Sequence, residues 1–402
     1  MPQRPFRYEN DTGTPPCTRS FHVNRPPALP LRPTRFQPRR RDILRGLAAW
    51  PPALALAGTA GLSACGGSSG GPRIATGTGA GTGPVSVTDR RVKVSTAPDV
   101  SLQVRDWQRP GNSGPTIVLL AGLGGNARCF DSLAPALASR SRVVAVSRRG
   151  YGLSDKPLPV KTATQYYDVE TLTSDLKAVL DELGLLRVVL GGHSIAGNEV
   201  TRFAGRHPER VQGLIYLDTS FDYTVNADSG GEEPPLNRRL DEPRPTANDS
   251  RSLQAAIAFN RRKTKNWWPA LEANLLDAVD VRPDGSVRMN TPEAIDTAVD
   301  TAAHNHSPDY KAVRAPSLVV TALPSDNRDL FPWLELPLDA KTEKDAANYL
   351  RIFRHVRISD SNRLVAALNT PNRLTLDNCG HTDFYLEREA EVLRAIQFMT
   401  WA

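Results

Sequence analysis

What most limits the architecture of this chain is a series of short, unbroken apolar runs. Thr116–Leu120 (TIVLL), Arg142–Val146 (RVVAV), Arg187–Leu190 (RVVL), Gly213–Leu217 (GLIYL), Ser317–Leu323 (SLVVTAL) and Arg373–Leu376 (RLTL) are each four to seven residues long. They are too short for buried helices and rich in β-branched residues, as expected of strands covered on both faces. Helical periodicity fills gaps between them. Leu172, Leu176, Val179, Leu180 and Leu183 fall on one face of a segment that stops near Gly184. Strands alternating with helices imply an α/β protein built on a doubly wound, mostly parallel sheet. Two earlier segments, RRVKV (Arg90–Val94) and VSLQVRDW (Val100–Trp107), alternate with period two, the pattern of an antiparallel hairpin at a sheet edge.

Residues 218–314 break this rhythm. They are polar, interrupted by proline and helix-leaning (RSLQAAIAFNRRK, WWPALEANLLDAV), with no strand-like run. A helical lid inserted over the carboxyl edge of the sheet is expected there, dividing a core into residues 85–217 and 315–402.

The net charge of +7 invites a nucleic-acid reading, but its distribution removes it. The first 64 residues hold ten arginines against Glu9, Asp11 and Asp42, so the remainder of the chain is balanced. Those 64 residues read as a leader and export signal. A charged RRDILRG (Arg40–Gly46) precedes a weakly apolar, small-residue stretch, Leu47–Ala64, which is signal-peptide order. Arg40-Arg41 resembles a twin-arginine export signal. LSAC, Leu62–Cys65, resembles a bacterial lipoprotein box, which implies a lipid on Cys65 that holds an otherwise soluble domain at a membrane. Residues 65–84 are a Gly/Ser/Thr-rich tether, about 25 Å end to end for a flexible chain of that length. Export leaves Cys129 and Cys379 in an oxidising compartment, either as a disulfide or as two buried thiols.

The chemistry centres on GHSIA, Gly192–Ala196, which sits between the strand RVVL and an amphipathic helical pattern. Small residues on both sides of a serine at a strand–turn–helix junction force its hydroxyl to the apex of a tight turn. The helix start and the Ile195 amide then point positive charge at the same place. His193, in the variable position, is not expected to take part. A serine hydroxyl needs a base, and His381 in LDNCGHTDFYLE follows an apolar strand and a glycine. His22 lies in the leader, His207 at a helix end, His304 and His306 in the lid, and His355 in a basic helical stretch.

With these pieces, residues 85–402 resemble the α/β-hydrolase superfamily. The resemblance implies Ser194 as nucleophile and His381 as base. It also implies an oxyanion hole from the amides of Ile195 and Leu123, the latter in LLAGLGGNARCF (Leu119–Phe130). Each such donor is worth roughly 3–4 kcal/mol in the transition state. The acid should follow the strand SLVV, where TALPSDNRD offers Asp326, with Asp329 as alternative and Asp218, after GLIYL, as an outsider. RRGYGLSD (Arg148–Asp155) resembles the superfamily's glycine-rich turn and is expected to support the elbow. Phe221, Tyr223, Trp267, Trp268, Phe331, Trp333, Phe384 and Tyr385 are candidates for the pocket mouth, with Phe221, Trp267, Trp333 and Phe384 foremost.

The implied activity is cleavage of a small carboxylic ester through an acyl-enzyme, with no metal or organic cofactor required. Amide and carbon–carbon bond hydrolysis use the same triad, and a silent binding protein on the same fold is a rival of a different class.

Overall fold

The computed structural model describes residues 83–401. The export signal, the twin arginines, Cys65 and nearly all of the tether lie outside the described residues. Chain order begins with β1 (Ser86–Thr96), β2 (Asp99–Gln108), β3 (Ile117–Leu120), α1 (Leu133–Leu137), β4 (Val143–Val146) and α2 (Val169–Glu182). It continues through β5 (Val188–His193), α3 (Ala196–Arg206), β6 (Val211–Leu217), α4 (Leu253–Arg262) and α5 (Pro269–Leu276). Next come β7 (Val279–Val281), β8 (Val287–Met289), α6 (Glu293–His304), β9 (Ser317–Leu323) and α7 (Asn327–Leu330). The long α8 (Ala340–Leu368), β10 (Arg373–Asp377), α9 (Phe384–Glu387) and α10 (Glu389–Phe398) complete it.

Eight strands form one sheet in the order β1-β2-β4-β3-β5-β6-β9-β10. The hairpin β1–β2 is antiparallel, β2 joins β4 antiparallel, and every later pairing is parallel. Each apolar run has become a strand, and the period-two segments form the edge hairpin. The inner strands read as continuous apolar runs because both their faces are covered. One face packs on α1, α10 and the loop around Phe130, with Leu133, Leu137, Val392 and Ile396 buried there. The other packs on α2, α3 and α8 through Leu176, Val179, Val200, Phe203 and Leu364. This is the doubly wound arrangement expected of βαβ units.

The segment between β6 and β9 carries α4, α5 and α6 but also a short antiparallel hairpin, β7–β8, pairing Val279 with Met289. The sequence there contains no strand-like run because each strand is three residues long and turns on Pro283-Asp284-Gly285, with Gly285 at φ +79°. A strand that short has no readable periodicity. The long segment before β10 is one helix of 29 residues, capped by the Asp339 side chain and ended by Asn369 in the left-handed region.

Cys129 and Cys379 are both free and buried. Burial pushes their thiols up, to about 11 and about 12 respectively, which makes them poor nucleophiles at neutral pH.

Candidate active site

Ser194 stands at the end of β5 with φ +55°, a left-handed conformation that non-glycine residues adopt only when the surroundings enforce it. Enforcement is visible on all sides. The Ser194 amide donates to Leu217 O at 3.0 Å, and its carbonyl accepts from Gly197 N at 3.0 Å and Thr219 Oγ1 at 2.6 Å. A Cβ on Gly192 would lie 2.7 Å from Ala196 O, so the turn closes only because that position is glycine. The next residue, Ile195, is already in helical conformation at φ −56° and leads into α3.

His381 reaches this serine from the loop after β10. Its Nε2 lies 3.0 Å from Ser194 Oγ, and its Nδ1 lies 2.5 Å from Asp218 Oδ2. The ring and carboxylate are both buried, with side-chain exposures of 7% and 1%. Nδ1–H donates to the carboxylate, so Nε2 turns its lone pair to the serine hydroxyl.

The carboxylate on His381 is therefore Asp218, and the expectation of Asp326 is corrected. Asp326 caps α7: its Oδ1 accepts from Arg328 N at 2.7 Å and Asp329 N at 3.2 Å. Asp329 is spent on Lys265 Nζ at 2.7 Å and on Ser325 N at 2.7 Å. Asp218 follows β6 directly, at φ +50°, and its Oδ1 accepts from Ala322 N of the neighbouring β9 at 2.9 Å. Since β6 and β9 pair side by side, their carboxyl ends open at one edge, and an acid after either strand lies in the same neighbourhood.

A further residue, absent from the sequence reading, completes the relay. Arg357 of α8 is 3% exposed and places Nη2 at 2.5 Å from Asp218 Oδ1 and 3.3 Å from Thr219 O. Its Nη1 donates to Ser220 Oγ at 3.3 Å. Burial alone would raise the Asp218 carboxyl, but the Arg357 guanidinium and His381 hold it well below the usual carboxylate range. Asp218 is anionic at neutral pH. The signal for Arg357 was slight, since it is one arginine among several in a basic helical run.

The other half of the site is backbone. A Cβ on Gly122 would meet Ser194 Cβ at 3.0 Å and His193 Nδ1 at 3.1 Å, so the loop after β3 passes close to the serine. Leu123 and Ile195 pack in one cluster with Tyr151 and Tyr223. Neither amide donates to another protein group among the described residues. Arg148, from RRGYG, holds this loop: it donates to Ala121 O at 3.0 Å while paired at 2.5 Å with the buried Glu199 of α3. The turn supports the elbow, as expected.

His193 is structural rather than a base. Burial, then the neighbouring His381, push it down to about 3, so it is neutral. Its Nε2–H donates to His381 O at 3.0 Å, and the two rings lie 4.9 Å apart. It steadies the catalytic loop. Tyr223 is buried nearby, and burial raises its hydroxyl.

A cavity opens beside Ser194, lined among others by Gly122, Leu123, His381, Lys263, Lys265, Trp333 and Asp383. Of the four foremost aromatic candidates only Trp333 lines it, joined by Tyr385. Phe384 is fully buried in the core. Phe221 stacks on Tyr310 with Arg363 above it, and Trp267 packs between two clusters, its Nε1 on Glu272. Aromatic residues bury large area and are claimed by the core before any ligand.

Known proteins resemble this chain in sequence and in fold. Residues 115–273 match the alpha/beta hydrolase fold family. Over 115 residues the chain is 36% identical to a fluoroacetate dehalogenase of Burkholderia sp, covering 29% of this chain and 38% of that one. Over 108 residues it is 37% identical to an sn-1-specific diacylglycerol lipase of Mus musculus, covering 26% and 33%. The chain thus spans about a third of the length of these relatives. Among solved structures, a thioesterase domain from the curacin biosynthetic pathway superposes with a TM-score of 0.55 at 16% identity, covering 78% of this chain and all of that one. The chain has the α/β-hydrolase fold, and its named relatives are hydrolytic enzymes of that fold.

Proposed function

We propose that this protein is a serine hydrolase that cleaves carboxylic esters through an acyl-enzyme. One observation carries the reading: Ser194, His381 and Asp218 are linked by hydrogen bonds of 3.0 and 2.5 Å, with the serine held in a strained turn. Ser194 Oγ attacks the ester carbonyl as His381 Nε2 takes its proton, and Asp218 stabilises the imidazolium. The oxyanion is received by the unengaged amides of Leu123 and Ile195. Collapse expels the alcohol, which takes its proton from His381. Water, activated by the same imidazole, then releases the acid and frees Ser194.

The likeness to a lipase and a thioesterase domain, both of which cleave acyl–heteroatom bonds, supports the ester reading. A serine at the elbow rather than an aspartate sets this chain apart from alkyl-enzyme chemistry. The test is labelling by a fluorophosphonate probe together with hydrolysis of p-nitrophenyl esters of graded chain length. Labelling and turnover that vanish in Ser194→Ala are expected, and a wild-type protein that does neither refutes the proposal. Export with a lipid on Cys65 is the accompanying proposal, supported by the order of residues 40–65. Its check is detergent-phase partitioning, which Cys65→Ser should abolish.

A further inference from the structure

The cavity beside Ser194 carries unbalanced charge. Two lysines face it, and both are spent on carboxylates. Lys263 is buried against Glu242 at 2.6 Å. Lys265 lies between Asp329 at 2.7 Å and Glu387 at 3.1 Å, so one cation serves two acids. Asp383 lines the same cavity at 5% exposure and pairs with no cation among the described residues. Among the described residues its one side-chain partner is Trp268, whose Nε1 donates to Oδ2 at 3.3 Å. On the serine side, Asp218 is already matched by Arg357. The surplus is therefore negative, and it sits on Asp383.

We propose that Asp383 anchors a positively charged group of the substrate, so that the enzyme prefers esters bearing an ammonium group over neutral esters of the same shape. This rests on the hydrolase reading above and names its substrate class.

A buried carboxylate without a counter-ion is costly. Burial, reinforced by Glu387 and only partly offset by Trp268 and the more distant Lys265, pushes Asp383 up to about 7. A cation entering the cavity supplies what the protein omits, and it binds the ionised form. The opposite choice, an anionic substrate drawn to Lys263 or Lys265, would have to displace Glu242 or Asp329 from contacts already made. The charged groups around Asp383 are Lys265, Glu387 and, across Lys265, Asp329, with the His381 ring two residues before it. None of them is a free cation.

The test compares kcat/KM for the p-nitrophenyl ester of 4-(trimethylammonio)butanoate with that of its neutral isostere, 5,5-dimethylhexanoate. The wild type is expected to favour the cationic ester by about tenfold or more, the scale of one charge-assisted contact in a partly dry site. Asp383→Asn, which keeps shape and loses charge, is expected to bring the ratio to about one. Tetramethylammonium should likewise slow fluorophosphonate labelling of Ser194 in the wild type but not in Asp383→Asn. A wild-type ratio near or below one overturns the proposal, as does a preference that survives Asp383→Asn or faster cleavage of the anionic p-nitrophenyl glutarate. Turnover of the neutral ester without cationic preference defeats this inference alone. Absence of both labelling and turnover defeats the hydrolase reading beneath it.

Discussion

Replacing Asp218 by asparagine separates the observed triad from the one expected from chain order. The substitution conserves volume, but the amide no longer offers an anion to His381 Nδ1–H at 2.5 Å. The imidazole loses the partner that selects its tautomer and stabilises its protonated form. In a serine triad that loss is worth about 10⁴-fold in kcat, or about 5 kcal/mol of barrier. A second cost falls on the fold. Arg357 is buried, and its guanidinium would keep Thr219 O and Ser220 Oγ but lose the carboxylate at 2.5 Å. Breaking a buried pair on one side costs roughly 3–5 kcal/mol, a large share of a domain's stability. The assay therefore pairs burst and steady-state ester hydrolysis with thermal melts, on Asp218→Asn and on Asp218→Asn with Arg357→Met. The double variant should recover much of the lost melting temperature and none of the activity. Asp326→Ala, which removes only the cap of α7, should keep kcat within about twofold, since that carboxylate touches neither His381 nor Ser194. A folded Asp218→Asn enzyme with near wild-type kcat, or an Asp326→Ala enzyme crippled to the same degree, would refute the assignment.

Arg357→Met alone should lower kcat by about tenfold, the scale of one charge-assisted hydrogen bond, because Asp218 loses the guanidinium that holds it, and Arg357→Lys should lose less; an unchanged kcat contradicts this. The preference for a cationic ester should titrate. Asp383 is raised to about 7, so the cation-binding carboxylate is present above that pH and lost as the pH falls through it. The ratio of cationic to neutral ester rates should climb through about pH 7 in the wild type and stay flat in Asp383→Asn. A flat wild-type ratio removes Asp383 from substrate recognition.

The features legible in the sequence are those whose cause is local. Six apolar runs became six parallel strands because a strand buried on both faces must be apolar at every position, whatever lies next to it. Ser194 could be found because the elbow needs small residues within two positions of the nucleophile, and His381 because it follows a strand and a glycine at the sheet's carboxyl edge. The acid was not local. The adjacency of β6 and β9 places two strand ends at one edge, and the choice between Asp218 and Asp326 turned on where each carboxylate spends its hydrogen bonds. Asp218 meets Ala322 N, Arg357 and His381, from segments more than 100 residues away, whereas Asp326 is held by amides two and three positions on. The same holds for the aromatic candidates, which core packing sorted into buried and lining, and for the two cysteines, which packing buried apart as thiols. Side-chain alternation and turn chemistry act over a few residues and leave their mark in the order of letters. Which distant charges meet depends on how the sheet stacks its strands and how α8 crosses its face, and only the folded chain decides that.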